Sequence, residues 1–410
     1  MKGKLLVLLV AIISAVLAGC SGGDDSSSGK DDKTVTVWAM GEEGKMLQEF
    51  SKKFEENSDY KVDVQAIPWD TAHDKLLTAV ASGNGPDVVQ LGTTWVAEFA
   101  EAGALKDLSE HMKDYPTFAK ENFFEGAQSI MQYKDQIVGV PWYVDTRVLY
   151  YRKDLLKEVG YDQPPKTWEE LKDAASKLAD RGEGSYGLDI DMNDQSTPFI
   201  FAWQNGYEAN LEENELNFDS PEFKGAIEYY TSFFREGISQ SQQGKDIVQA
   251  FKDGSKPMFF SGPWMINIIN DQAPDLEGKW ATAVMPKKET NTSFMGGSIF
   301  SVFDSADNVD GALEYIAFMS QKDTQLKWTE VSSTLPAVKE AWKDPMMQEN
   351  PLYVTFGKQL ENAKAGLQTP KFERIAQELL ATIERIVKGG ADIEKELEKF
   401  NQTAQSILEK

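Results

Sequence analysis

From Thr34 onward the chain alternates short apolar runs with segments of helical periodicity, which restricts it to parallel sheets covered by helices. Thr34 to Ala39 (TVTVWA) reads as the first strand, and Met46, Leu47, Phe50 and Phe54 as the buried stripe of the next helix. Lys61 to Ile67 is the second strand. A helix carrying Leu76, Leu77 and Val80 follows, with Asp70 placed to cap it, and Gly83-Asn84-Gly85-Pro86 turns the chain into a third strand, Asp87 to Leu91. Another helix runs through Trp95 to Ala102.

In open α/β sheets ligands bind beyond the carboxyl ends of the strands. That rule selects three loops: Met40-Gly41-Glu42-Glu43, Pro68-Trp69-Asp70 and Gly92-Thr93-Thr94-Trp95. A fourth apolar strand, Gln136 to Val140, runs into Pro141-Trp142-Tyr143-Val144-Asp145-Thr146-Arg147 and then into a further extended run, Val148 to Tyr151. Beyond it the pattern becomes more helical. Thr167-Trp168-Glu169-Glu170 is a capping box, and Phe223, Ile227, Tyr230 and Phe234 form a buried helical face. Met258-Phe259-Phe260 is a short strand ending in Ser261-Gly262-Pro263-Trp264, and Trp280 to Met285 is another. Gly296-Gly297 precedes Ser298 to Phe303, a run able to return the chain to the first body. Late helices carry Leu313, Ile316 and Ala317 on one face, and Phe372, Ile375, Leu379 and Ile383 on another. The expectation is two lobes crossing near Thr146: 34–146 with about 296–346, and 147–295 with about 347–410.

The amino terminus determines the compartment in which this body is to be read. Lys2 and Lys4 precede an apolar run, Leu5 to Ala18, too short to span a membrane comfortably, and Leu17-Ala18-Gly19-Cys20 follows. That ending resembles the bacterial lipoprotein signal, with residues 1–19 removed and Cys20 acylated. An ordinary secretory signal with an incidental cysteine is the plainer alternative. Cys20 is the single cysteine of 410 residues, so no disulfide forms within the chain and no thiolate metal cluster is possible. Two acyl attachments would anchor stably where one chain is reversible, and residues 20–33 read as a polar tether. Localisation is therefore the extracytoplasmic face of the bacterial cell membrane.

The formal net charge of -24 repels nucleic acid and anionic lipid headgroups, and leaves a neutral ligand unaffected. With two histidines, His73 and His111, a Ser-His-Asp triad or a histidine metal site has little to draw on. Asp189-Ile190-Asp191-Met192-Asn193-Asp194 begins like a calcium loop. It lacks glycine at the sixth position and glutamate at the twelfth, where Ile200 stands, so no metal and no cofactor is expected. Two carboxylates alone would suffice for a glycosidase, and acidic residues are too numerous to discriminate.

What the loops do offer is aromatic surface. A pyranose ring has an apolar C–H face and a rim of hydroxyls, matched by flat aromatics for stacking and by carboxylates for charge-assisted hydrogen bonds. Trp69 with Asp70, Trp142 with Asp145, and Trp264 fit that need, although each tryptophan taken singly also fits a packing role. Asp70 serves as helix cap, as ligand contact, or as both. Asp145 has no helix to cap. Arg147 is read as a partner of a neighbouring carboxylate, Trp38 and Trp168 as core, and His73 as surface.

Three stretches carry a family resemblance: Gly85-Pro86-Asp87-Val88-Val89, Gly139-Val140-Pro141 through Tyr150-Tyr151-Arg152-Lys153-Asp154-Leu155-Leu156, and Gly262-Pro263-Trp264. The chain resembles the bacterial extracellular solute-binding proteins that include maltose-binding protein, over nearly its whole mature length. The resemblance implies a type II periplasmic-binding-protein fold, α/β, with two lobes, each a mostly parallel sheet flanked by helices, joined by a hinge. It implies a monomer with no enzymatic activity, binding an oligosaccharide or disaccharide by cleft closure and delivering it to the membrane permease of an ABC importer with a cytoplasmic ATPase. By position it makes Trp264 the stacking tryptophan of the second lobe and Asp145 the acid beside the hinge. It also brings in the Thr93-Thr94-Trp95 loop and Phe372 as sugar contacts. The expected ligand-binding set is thus Glu42, Trp69, Asp70, Thr93, Thr94, Trp95, Trp142, Asp145, Trp264, Gly296 and Phe372. The loop at Thr93 and the phenylalanine at 372 depart from the maltose binder, which argues against maltose itself. A same-fold binder of a polyamine, an anionic sugar or a peptide is the nearest alternative, and a secreted glycosidase the more distant one.

Overall fold

The computed structural model describes residues 33–211, 213–242 and 244–409. The signal segment 1–19, Cys20 and the tether up to residue 32 lie outside the described residues. Among the described residues no helix is long and apolar enough to cross a membrane.

Strands β1 (Thr34–Met40), β2 (Lys61–Ile67) and β3 (Val88–Gly92) form where the apolar runs lead into helices, and β1 pairs in parallel with both others. A small hairpin of β4 (Gln132–Tyr133) and β5 (Gln136–Ile137) precedes β6 (Val140–Asp145). The fourth strand therefore extends five residues past Val140, through the segment read as a loop. A tight crossing at Thr146 and Arg147 then leads to β7 (Val148–Arg152), which is flanked by β8 (Met258–Ser261) and β9 (Trp280–Ala283) in a second sheet. Strand β10 (Ser293–Phe294) pairs with the late β13 (Ala363–Lys364). Between them β11 (Gly296–Val302) inserts between β3 and β6, and β12 (Leu335–Pro336) adds to the far edge of β6.

The first sheet thus has the order β12-β6-β11-β3-β1-β2, and the second β8-β7-β9. Neither is mostly parallel. β11, returning from the second sheet, runs antiparallel to both β3 and β6, and β12 runs antiparallel to β6. The second sheet is antiparallel throughout, its parallel contact reduced to a single bridge between Asp189 and Phe259.

Each sheet lies between apolar layers. Phe50, Trp142, Phe300, Tyr315 and Trp328 pack on one face of the first sheet; Met40, Leu76, Leu91, Phe99 and Ile299 cover the other. In the second lobe Tyr151, Trp168, Phe201, Tyr230 and Phe400 belong to one core with the helices Pro221–Arg235, Phe372–Val387 and Ile393–Leu408. Thr167 caps its helix by accepting the amide of Glu170, as the capping box predicts, while the Glu170 carboxylate accepts from the Lys166 amide.

Candidate functional site

Strand alternation decides what β6 shows to each side. Trp142 points into the core, where its ring lies 4.3 Å from Phe300 and 5.0 Å from Trp328. Tyr143 and Asp145 point the other way. The Tyr143 hydroxyl accepts from the Gln90 side chain at 3.2 Å and from Ser298 at 3.0 Å, and burial holds it well above the ordinary tyrosine range. Asp145 closes the strand opposite Gly296 of β11, where a Cβ would overlap its carboxylate. Glycine at 296 is what makes room for that acid.

One residue beyond the crossing, Arg147 Nη1 donates to Asp145 at 2.9 Å and Nε to Asp194 at 3.0 Å. The guanidinium carbon sits 4.8 Å from the centre of the Trp264 ring. Burial raises the Asp145 carboxyl above its usual range, opposed by Arg147. Burial also works to raise Asp194, but the Arg147 charge and the Ser196 hydroxyl and amide more than offset it, so that carboxyl is depressed. The two acids around one guanidinium are therefore not equivalent.

Trp264 stands at the N-cap position of the helix Met265–Gln272, directly after β8, and is 39% exposed. A Cβ at Gly262 would overlap its six-membered ring, so the glycine allows the indole to fold back over the turn. Trp69, also 39% exposed, begins the helix Trp69–Ser82 on the first lobe. Gly41 lies beneath it at φ +65°, where a Cβ would come within 2.6 Å of the indole nitrogen. Trp95 braces Trp69 edge-on with ring centres 5.4 Å apart.

The two tryptophans share two compartments. A small cavity of about 270 Å³ is bounded by Glu43, Trp69, Tyr143, Asp145, Trp264 and Thr334. A wider cleft of about 1500 Å³ runs past Trp69, Trp264, Asp70 and Arg147 and along the segment Asp189 to Gln195. Burial raises the Glu43 carboxyl, its own amide lowers it, and the charges of Asp145 and Glu42 raise it further, with a net upward displacement.

Among the expected residues, Trp69, Asp70, Asp145 and Trp264 come together around this space. Gly296 contributes by yielding volume. Thr93 is buried beneath the rim with its amide on the Gly297 carbonyl, and Thr94 and Trp95 are half-buried behind Trp69; none of the three lines either compartment. Four expectations are corrected. Trp142 is core because it belongs to a central strand. Phe372 opens the apolar stripe of its helix and packs on Phe199 with ring centres 5.6 Å apart, in the core of the second lobe. Glu42 is exposed and paired with Lys45, while its neighbour Glu43 faces the cavity, because a helix begins at Gly41 and turns successive side chains by about 100°. Asp70 is not a cap either: Pro68 holds that position and no side chain caps the helix. Tyr143, Thr334 and Asp194 were missed. For Asp194 the signal lies in the acidic run Asp189 to Asp194, whose carboxylates suit hydroxyl groups although they do not make a calcium loop.

The profile of bacterial extracellular solute-binding proteins matches residues 49–355. The sugar-binding protein MalE from Xanthomonas citri superposes with a TM-score of 0.86, at 33% identity over 92% of this chain and 97% of its own. A solute-binding protein of an ABC transporter from Thermotoga lettingae, solved with α-D-tagatose, gives 0.82 at 26% identity over 92% of this chain and 100% of its own. The galactooligosaccharide-binding protein of Bacillus subtilis is 23% identical over 420 aligned residues, covering 98% and 96% of the two chains. These proteins are binding proteins, and the architecture they share is the two-lobed type II periplasmic-binding fold. The chain belongs to the bacterial extracellular solute-binding protein family.

Proposed function

We propose that this protein is the extracytoplasmic sugar-binding subunit of an ABC importer, a non-enzymatic carrier whose lobes close on an oligosaccharide. The observation that carries the reading is the pair Trp69 and Trp264, two exposed indoles from opposite lobes that face one cavity beside Asp145. Apolar ring faces set against carboxylates match the two surfaces of a pyranose. The names of the Xanthomonas and Bacillus relatives agree with it. Ligand touching both lobes binds the closed form better than the open one, and that difference in affinity drives closure. The permease then distinguishes loaded from empty protein.

The sites belong to the same proposal: Trp69 and Trp264 stack on sugar rings, and Glu43, Asp70, Asp145 and Arg147 bond hydroxyls. So do the lobe boundaries at about residues 146, 296 and 346, the monomeric state, and attachment to the membrane through acylated Cys20. Thermal-shift screening of the soluble body against a panel of oligosaccharides, with a reducing-sugar assay alongside, tests it. A binding sugar at 100 times its dissociation constant raises stability by about 2.7 kcal/mol. No shift with any sugar, or release of reducing ends, would overturn the reading.

A further inference from the structure

The cavities are polar and charged, so the sign of the charge left unpaired determines which sugars can enter. Four cations line the wider cleft: Arg147, Lys245, Lys256 and Lys388. Each already has a carboxylate. Lys256 holds Asp189 at 2.5 Å, Lys245 holds Asp253 at 2.7 Å and Lys388 holds Glu384 at 2.9 Å. Arg147, which lies beside the tryptophan pocket, holds two, Asp145 and Asp194. By contrast Glu43, Asp70 and Asp191 line the same space without an ion-pair partner among the described residues.

We propose that Asp194 makes this cleft reject carboxylated sugars: together with Asp145 it saturates the charge of Arg147, so that among the described residues no unpaired cation faces an anionic ligand. The proposal rests on reading the cleft as a carbohydrate site. The cluster of one guanidinium and two carboxylates carries one net negative charge before any ligand arrives, and a uronate would bring a third carboxylate to it. Two of the five guanidinium N–H groups are engaged in the bonds described, which leaves donors for neutral hydroxyl oxygens. The guanidinium face on Trp264 further fixes the group, so it cannot swing away from Asp194 without losing that contact. Arg147 is thus a donor to hydroxyls that carries no spare charge, and Asp194 is the specificity-determining residue acting through it.

The test is titration calorimetry with maltotriose, cellotriose, galactotriose and mannotriose, each paired with the same trisaccharide oxidised to the carboxylate at C6. The wild-type protein is expected to bind at least one neutral member about tenfold or more tighter than its carboxylated counterpart, and the gap to narrow as salt screens the repulsion. Asp194→Asn removes the charge and keeps an oxygen to accept the Ser196 amide; it is expected to narrow the gap by about tenfold. Asp194→Ser, with thermal melts of both variants, separates loss of charge from loss of fold. Equal or tighter binding of the carboxylated sugar by wild type would overturn the proposal and leave the sugar reading intact. So would a gap insensitive to salt, or one unchanged in a folded variant. Failure of every trisaccharide and its counterpart to bind would remove the sugar reading, and the proposal with it.

Discussion

The guanidinium of Arg147 lies over the ring of Trp264, 4.8 Å from its centre, while its edges are held by carboxylates on both sides. An indole that would otherwise hang free beyond a strand end is thereby fixed in orientation. Pre-ordering of this kind lowers what a ligand loses in side-chain freedom on binding.

Trp264→Ala should cost about 2 kcal/mol or more of sugar binding, as loss of a central aromatic anchor does. The residue is substantially exposed, so the unliganded melting temperature should stay near wild type. Calorimetric titration and an unliganded melt on the same variant check both halves.

Trp142→Ala should behave in the opposite way. Its ring is stacked between Phe300 and Trp328, and the cavity left behind should cost about 3–5 kcal/mol of stability. Trp142→Phe should be much milder, because the indole N–H has no hydrogen-bond partner among the described residues and nothing polar is orphaned. Denaturant titration of the two variants gives the comparison.

Arg147→Met leaves Asp145 and Asp194 facing each other without their shared cation, which should destabilise by about 3–5 kcal/mol near neutral pH. The contribution of Asp194 to the pH dependence should also change sign, while that of Asp145, raised already in wild type, keeps its sign and grows. In wild type the folded-state pKa of Asp194 is depressed, so its stabilisation is present above the ordinary 3.8 and is lost as pH falls through the depressed value. Without Arg147 the Asp145 value, already above 3.8, rises further and burial raises Asp194 as well, so the variant should regain stability as pH falls toward them. Melting temperatures of both proteins across the acid range should show the deficit of the variant shrinking as pH falls.

Glu43→Gln should raise unliganded stability at neutral pH, because burial and the Asp145 charge disfavour the ionised form. With the folded-state pKa raised above 4.5, the penalty on wild type is full above that raised value and disappears as pH falls to the ordinary one. The advantage of the variant should therefore vanish in acid. Sugar binding should weaken, since a charge-assisted acceptor becomes a neutral one. Melts at several pH values with a parallel titration separate the two effects.

Cys20→Ala removes the single thiol available for acylation and should release the protein from membranes without altering ligand affinity. Cell fractionation and a titration on the released protein check it. Firm retention with membranes would count against the lipid anchor.

The alternation of apolar runs made the lobes and most strands legible, because a period of two or of 3.6 is written directly in residue order. What it could not convey was that β11 and β12 run antiparallel to their neighbours, since strand direction depends on long-range pairing rather than on local pattern. Trp142 shows the same limit on a smaller scale. A strand read as ending at Val140 puts Trp142 on a loop; a strand ending at Asp145 buries it and turns Tyr143 and Asp145 toward the cavity. Glu42 and Glu43 differ by one position at a helix start, where a shift of one residue exchanges solvent for cleft. Trp264 is readable because the Ser261-Gly262-Pro263 turn sets it just past a strand, and Asp145 because it has no helix to cap.

Asp145 sits on the crossing itself, pressed against Gly296 of the returning strand. In a hinged closure a group on the axis hardly travels, whereas Trp69 and Trp264 sweep toward each other from either side. On the proposed reading of the cleft, Asp145 would thus meet an arriving ligand before the lobes close, and the tryptophans only afterwards. Capture and retention would then fall to different residues: the acid at the pivot would govern how often an encounter is productive, and the indoles at the rim how long the sugar stays.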